Sequence, residues 1–309
     1  MNWLRYSAVG LLLVLAACGL LGCGGSSPLP PVVMQTVDRI IVVGWDGVQL
    51  AHMRDLLAAG DLPNLSAMIA RGSMVSTTVT NHASDTKAGW TQIFTGYRPK
   101  ITGVISNSFY AAIPQGYTLF ERAREHYAAS GKDFRAVGIT GKDENIGSGV
   151  GFPFEHCAKT LDVWEGDLKR DADEVGALAL QALDQHGTAE ALVAFIHFGD
   201  PDHAGHKRNE NSQEYDDAIV LCDQWLGRLV DKVNALGIAD ETRIFVTTDH
   251  GFDEGQKTHN DAPDTWFVSD RTDVNRDANQ DAVAPTLYGA LGIDYTKYRP
   301  RLEGRPLVR

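Results

Sequence analysis

RIFVTTDHGFDEGQKTH, Arg243 to His259, is the stretch from which the rest of the chain can be read. Ile244, Phe245 and Val246 form a short apolar run, β-branched and aromatic, between polar residues, which predicts a buried strand. Thr247 and Thr248 end it, Asp249 and His250 follow side by side, then Gly251, and His259 comes nine residues after His250. Carboxylate and imidazole are the ligands of catalytic Zn²⁺, and strand ends are where α/β sheets place their sites. Taken alone, Asp-His-Gly is equally well read as a turn with a solvated pair. Other strand ends shift that balance.

Ile40–Val43 is a continuous apolar run, as in a strand covered on both faces. Gly44-Trp45-Asp46-Gly47 follows and puts Asp46 at its carboxyl end. Met74–Val79 alternates and reads as a strand; the loop after it carries Thr86, near the N-terminus of a helix that ends at Gly96 before Pro99. Leu192–Phe198 is a third such strand, followed by Gly199-Asp200-Pro201-Asp202-His203-Ala204-Gly205-His206. On a helical turn Asp202 and His206 share a face, while Asp200 and His203 compete for the same roles. Each fragment has a plain structural reading: Asp46 or Thr86 as a helix cap, Asp202 as a turn residue. Their joint occurrence on successive strand ends is harder to explain that way.

Between these lie further elements. Helices are predicted over Leu50–Ala59, Leu65–Ala70, Leu168–Leu183, Glu214–Leu236 and Asp281–Leu291, and a capping box, Thr118-x-x-Glu121, opens another. Phe134–Ile139 is a strand leading to Gly141-Lys142. The alternation of strand and helix predicts an α/β sandwich with a largely parallel sheet.

The chain has 309 residues, 43% hydrophobic and 22% charged, with net charge −12. That length suits one large α/β domain. The negative surface argues against binding nucleic-acid polymers or anionic membranes. Residues 1–22 read as an exported leader: Arg5, then the apolar or small run Ser7–Gly22, short against the roughly 20 residues of a membrane span. Leu15-Ala16-Ala17-Cys18 and Leu20-Leu21-Gly22-Cys23 each resemble a lipidation site, an ordinary cleaved signal peptide being the alternative. Residues 23–36, with Gly24-Gly25-Ser26-Ser27-Pro28, read as a tether, and 37–309 as a single catalytic domain. The expectation is a periplasmic or outer-membrane bacterial lipoprotein, attached through its N-terminal lipid. Cys222 falls on the apolar face of a predicted helix, which favours a buried thiol over a disulfide with Cys157.

From about Asp38 to Leu291 the chain resembles the alkaline phosphatase superfamily, in its type I phosphodiesterase/nucleotide pyrophosphatase branch. The resemblance rests on Asp46 after the first strand, Thr86 nine residues before Thr95-Gly96, Asp202-x-x-Gly205-His206, Asp249-His250-Gly251 and His259. It implies an alkaline-phosphatase-like α/β/α sandwich and two zinc ions, and the compact length adds the expectation of a small cap. One would be held by Asp46, Asp249, His250 and the Thr86 oxygen, the other by Asp202, His206 and His259. Mixed His/Asp sets favour Zn²⁺ over Mg²⁺ or Ca²⁺, with Mn²⁺ or Fe also compatible. Thr86 would be the nucleophile of a phosphothreonine mechanism, since two metals about 4 Å apart can clamp attacking and leaving oxygens and a coordinated hydroxyl is activated. Asn107 stands where the phosphodiesterase branch has an oxygen-holding asparagine.

Lys142 matches the lysine of the Lys-x-Arg pair that holds monoester oxygens in some threonine-type phosphatases. Glu144 replaces the arginine, which weakens a strict monoesterase reading. Lys87 adds a positive charge beside Thr86 or is merely solvated. The expected substrate is a small phosphate ester, diesters or pyrophosphates ahead of monoesters. Sulfatases share the scaffold but need Cys or Ser followed by x-Pro-x-Arg, which Thr86-Lys87-Ala88-Gly89-Trp90 lacks. A metal-dependent phosphoglycerate mutase would be larger and cytoplasmic. A binding lipoprotein without turnover is the alternative from another class.

Overall fold

The computed structural model describes residues 34–308; the leader and most of the tether lie outside the described residues. The elements run β1 (Arg39–Trp45), α1 (Leu50–Ala59), α2 (Pro63–Arg71), β2 (Ser73–Thr78), α3 (Thr86–Thr95), α4 (Pro99–Thr102) and α5 (Leu119–Ser130). Next come β3 (Phe134–Thr140), α6 (Asp143–Ile146), α7 (Glu155–Ala158), β4 (Val163–Glu165), α8 (Ala172–His186), β5 (Ala191–Phe198) and α9 (Asp200–Arg208). The last are α10 (Gln213–Ala235), β6 (Thr242–Thr247), β7 (Asp264–Ser269), β8 (Ala278–Asn279) and α11 (Val283–Ala290).

The strand order is β4-β3-β5-β1-β6-β7-β2-β8. Only β7 runs against the rest: it pairs antiparallel with β6 and β2, and every other pairing is parallel. The continuous apolar runs follow from two-sided burial. Successive side chains of a strand point to opposite faces. Ile40, Val42, Val193, Phe195 and Phe245 therefore enter one core, with Phe94, Phe120 and Leu287 of α3, α5 and α11. Ile41, Val43, Ala194, Ile196 and Val246 enter the other, with Met53, Leu65, Val175 and Leu226 of α1, α2, α8 and α10. This is the α/β/α sandwich. Cys157 and Cys222 are both free and buried, one in each core.

The departures from expectation are local. The helix expected from Leu168 begins at Ala172, because the Asp171 side chain accepts the Glu174 N–H at 3.0 Å and fixes the start there. The helix expected over Asp281–Leu291 opens as a 3-10 turn, Gln280–Ala282, before α11. The Thr118–Glu121 capping box forms as read. The unforeseen β7 reverses direction, so its pairing is not implied by strand–helix alternation.

Candidate active site

The site lies where three neighbouring strands, β5, β1 and β6, reach their carboxyl ends. Asp46 directly follows β1, and its N–H donates to the Phe198 carbonyl that ends β5, 3.0 Å away. Asp249 and His250 follow β6 within three residues. α9 begins two residues after β5 and carries Asp202 and His206 one turn apart. Thr86 is the first residue of α3, after Asp85 in extended conformation. Gly89, also in α3, lets that helix close on the sheet, since a Cβ there would stand 2.7 Å from the Cβ and the carbonyl oxygen of Asp249.

All seven residues expected around metal converge. Asp46, Asp202 and His250 have ligand atoms within 4.8 Å of one another, as do Asp202, His206 and His259. His250 Nε2 lies 3.5 Å from Asp46 Oδ1, 3.7 Å from Asp202 Oδ1, 3.5 Å from Asp249 Oδ2 and 3.4 Å from Thr86 Oγ1. Atoms coordinated at about 2.0–2.1 Å around one tetrahedral ion lie about 3.3–3.5 Å apart, so the spacing suits a shared cation better than direct hydrogen bonds. The tautomers agree. His250 Nδ1–H donates to the Gly251 carbonyl and His206 Nδ1–H to the Lys257 carbonyl, both at 2.8 Å, which turns each Nε2 lone pair toward the cluster. His206 Nε2 and His259 Nε2 face each other at 3.2 Å.

The charges point the same way. Asp46, Asp202, Asp249 and His250 are all buried. Among the described residues Asp202 Oδ1 and Asp249 Oδ2 have no hydrogen-bond partner. Burial, and then repulsion from Asp46, pushes the Asp249 carboxyl well above the usual range. Burial opposes ionisation of Asp46 and Asp202 too, yet Lys142 overcomes it and holds both low. Burial, then His250, lowers the His259 imidazole to about 4. The Asp202 carboxylate, 3.4 Å from His206 Nε2, favours the protonated imidazole and raises His206, and a cation bound there would displace that proton. One ammonium among three buried carboxylates leaves a negative site, and its donor set fits divalent metal.

Lys142 also lies in this cluster. Its Nζ is bonded to three of the candidate ligand groups: Asp46 Oδ1 at 3.0 Å, Thr86 Oγ1 at 3.0 Å and Asp202 Oδ2 at 2.5 Å. Asn107 sits beside Thr86 and Lys87. Its Oδ1 accepts the Lys87 N–H at 2.9 Å, its own N–H donates to Asp85 Oδ2 at 2.8 Å, and no partner among the described residues engages its Nδ2. Lys87 is not solvated. It is buried, its ammonium donates to the Glu144 carbonyl at 2.8 Å, and it lies over the Tyr110 and Phe152 rings at 4.4 and 5.2 Å. The competitors stand apart: His203 is 3.5 Å from Glu144, and neither it nor Asp200 is in the cluster.

One participant escaped the sequence reading. His197, fully buried within β5, donates from Nε2 to Asp46 Oδ2 at 2.8 Å. Its signal was a single ionisable residue in the apolar run ALVAFIHF.

Comparison with known proteins points to one family. Residues 40–300 match the model of the family described as type I phosphodiesterase / nucleotide pyrophosphatase. The chain is 24% identical over 245 residues to rat ectonucleotide pyrophosphatase/phosphodiesterase family member 7, covering 75% of this chain and 54% of that protein. It is 21% identical over 227 residues to mouse bis(5'-adenosyl)-triphosphatase, covering 71% and 48%. The chain thus spans about half the length of the curated relatives it matches. Among solved structures, the lipoteichoic acid synthase LtaP from Listeria monocytogenes superposes with a TM-score of 0.61 at 13% identity, covering 90% of this chain and 76% of that one. An alkaline phosphatase superfamily protein from Vibrio parahaemolyticus gives 0.59 at 16%, covering 90% and 71%. These share the fold. With the family model matching nearly all of the described residues, the chain belongs to the type I phosphodiesterase / nucleotide pyrophosphatase family.

Proposed function

We propose that this protein hydrolyses small phosphate esters, diesters and pyrophosphates ahead of monoesters, by phosphoryl transfer to Thr86 in a site built for two divalent metals, zinc by preference. The observation that carries the reading is the position of Thr86 Oγ1. It heads a helix at the junction of the two His/Asp groups, 3.4 Å from His250 Nε2 and 3.0 Å from Lys142 Nζ.

Asp46, Asp249, His250 and Thr86 would hold one ion, and Asp202, His206 and His259 the other. Bound there, the metals supply Lewis acidity to the phosphoryl group and a lowered pKa to the hydroxyl they touch. The protein's own groups do the rest. Asp85 and the Lys87 N–H fix Asn107, leaving its Nδ2 to donate to a phosphoryl oxygen. The first turn of α3 presents backbone N–H groups to the same anion. Lys142, already on the Thr86 oxygen, favours the deprotonated nucleophile by its charge. The second oxygen of a monoester would need a further donor, and Glu144, where an arginine would serve, is an anion instead. The reading therefore favours diesters. Sulfate esters are the second reading: the fold is similar to that of a structure solved with D-glucosamine-2-N,6-O-disulfate as its substrate, at a TM-score of 0.59.

The test is a pair of rates on zinc-loaded protein, for an aryl phosphate monoester and its matching diester, with Thr86→Ala as control. Faster diester turnover, lost in the variant, is expected. Faster monoester turnover overturns the diester preference, and no turnover of either with metal bound overturns the phosphohydrolase reading. The proposal includes export and lipid anchoring at Cys18 or Cys23, read from the leader; the intact mass of the membrane-extracted protein decides which cysteine is modified.

A further inference from the structure

His197 lies at the centre of the sheet and no part of the preceding reading uses it. It belongs to the face of β5 that carries Val193 and Phe195 toward α3. Its register partner on β1 is Gly44, next but one to Asp46. A Cβ at Gly44 would stand 2.4 Å from the Trp90 ring, so the missing side chain makes room for Trp90 against the sheet. The His197 ring meets Trp90 edge to face at 5.2 Å, and Trp90 is four residues along α3 from Thr86. The His197 carbonyl accepts the Gly141 N–H at 3.2 Å, next to Lys142. One residue thus touches the segments that carry Asp46, Lys142 and Thr86.

We propose that His197 is a positioning residue of the metal centre: its Nε2–H holds Asp46 Oδ2, so that Oδ1 alone faces the ligand cluster. The inference rests on the metal reading above. Three observations support it. The two Asp46 oxygens are divided, Oδ2 to His197 at 2.8 Å and Oδ1 toward Lys142 and His250. His197 Nδ1 is buried with no partner among the described residues, so the single ring proton belongs on Nε2. A neutral donor orients the carboxylate without cancelling its charge, which stays available to a cation. Both groups are fully buried, where a hydrogen bond is worth more than in water.

The test separates reach from polarity. The His197→Gln amide reaches close to the position of Nε2, whereas His197→Asn stops near that of Nδ1. Zinc affinity is measured by chelator competition on stripped and reloaded protein, with melting of the metal-free forms alongside. The Asn variant is expected to bind roughly 10–100-fold more weakly, the Gln variant close to wild type, with similar metal-free melting. Equal affinity in both variants, whether unchanged or equally weakened, overturns the proposal. Should neither variant fold, long-range ¹H–¹⁵N correlation on the wild-type protein reads the tautomer directly: Nε2–H supports the proposal and Nδ1–H overturns it. Wild-type protein that binds no zinc overturns the metal reading instead, and is recognised before any substitution is made.

Discussion

The two candidate ligand groups are made of different material. Asp46, Asp249 and His250 stand directly on the ends of β1 and β6 and are fully buried. Their neighbours are sheet, helix α3 and His197, with little freedom to move. Asp202, His206 and His259 are mixed: Asp202 is buried, but the His206 side chain is 45% exposed. His259 sits on a loop folded around Asp253, whose carboxylate accepts from the Asn260 and Asp261 N–H groups and the Thr258 hydroxyl at 2.7–2.9 Å. One half of the site is fixed by the architecture; the other depends on a few polar contacts at the surface. Under the proposed transfer to Thr86, this division would hold the attacking oxygen rigidly and leave the other side open to solvent.

The strongest prediction concerns the rigid half. Thr86→Ala should lower turnover by roughly three orders of magnitude or more even with zinc in excess, which offsets the loss of the Thr86 oxygen from the first metal group; a variant that retains activity removes Thr86 as nucleophile. Asp249→Asn should act in opposite directions with and without metal. The buried carboxylate, whose Oδ2 has no partner among the described residues, is costly until a cation meets it, so the metal-free variant should melt above metal-free wild type and the loaded variant below loaded wild type. Melting shifts of the same sign in both states would show that Asp249 does not face a metal. Gly89→Ala should cost about 1–3 kcal/mol by overpacking against Asp249, read as a lower denaturation midpoint; an unchanged midpoint would mean α3 is free to move away.

The smallest effect belongs to the open half. Asp253→Ala should weaken metal only at the His206/His259 group, seen as loss of one equivalent on mild chelation. The hydrogen bonds to Asp253 outweigh its burial and lower its pKa. Its contribution is therefore complete above the ordinary carboxylate range and is lost only as pH falls through the lowered value. Loop order should then be flat through neutral pH. A change near pH 7 would assign control to another group.

The rigid half was also the more legible in sequence. The apolar runs of β1, β5 and β6 announce strands buried on both faces, and Asp46, Asp249 and His250 follow them directly. Asp202 and His206 were legible because their spacing matches a helical turn. Lys142 was found, but its contacts with Asp46, Thr86 and Asp202 were not, since only the fold brings the end of β3 to the ends of β1 and β5. Lys87 could be read either as a charge beside Thr86 or as solvated; Tyr110 and Phe152, distant in sequence, cover it. His197 was missed because strand periodicity says which face a residue takes and not what it meets there. β7 was missed because it opposes the rule that predicted its neighbours.

Metal stoichiometry tests the central claim most directly. Protein purified without chelator and reconstituted with Zn²⁺ should hold two equivalents, with His259→Ala reduced to one and the remaining ion retained through Asp46, Asp249 and His250. One equivalent or none in the wild-type protein, or loss of both ions in His259→Ala, would contradict a site made of a rigid half and an open half.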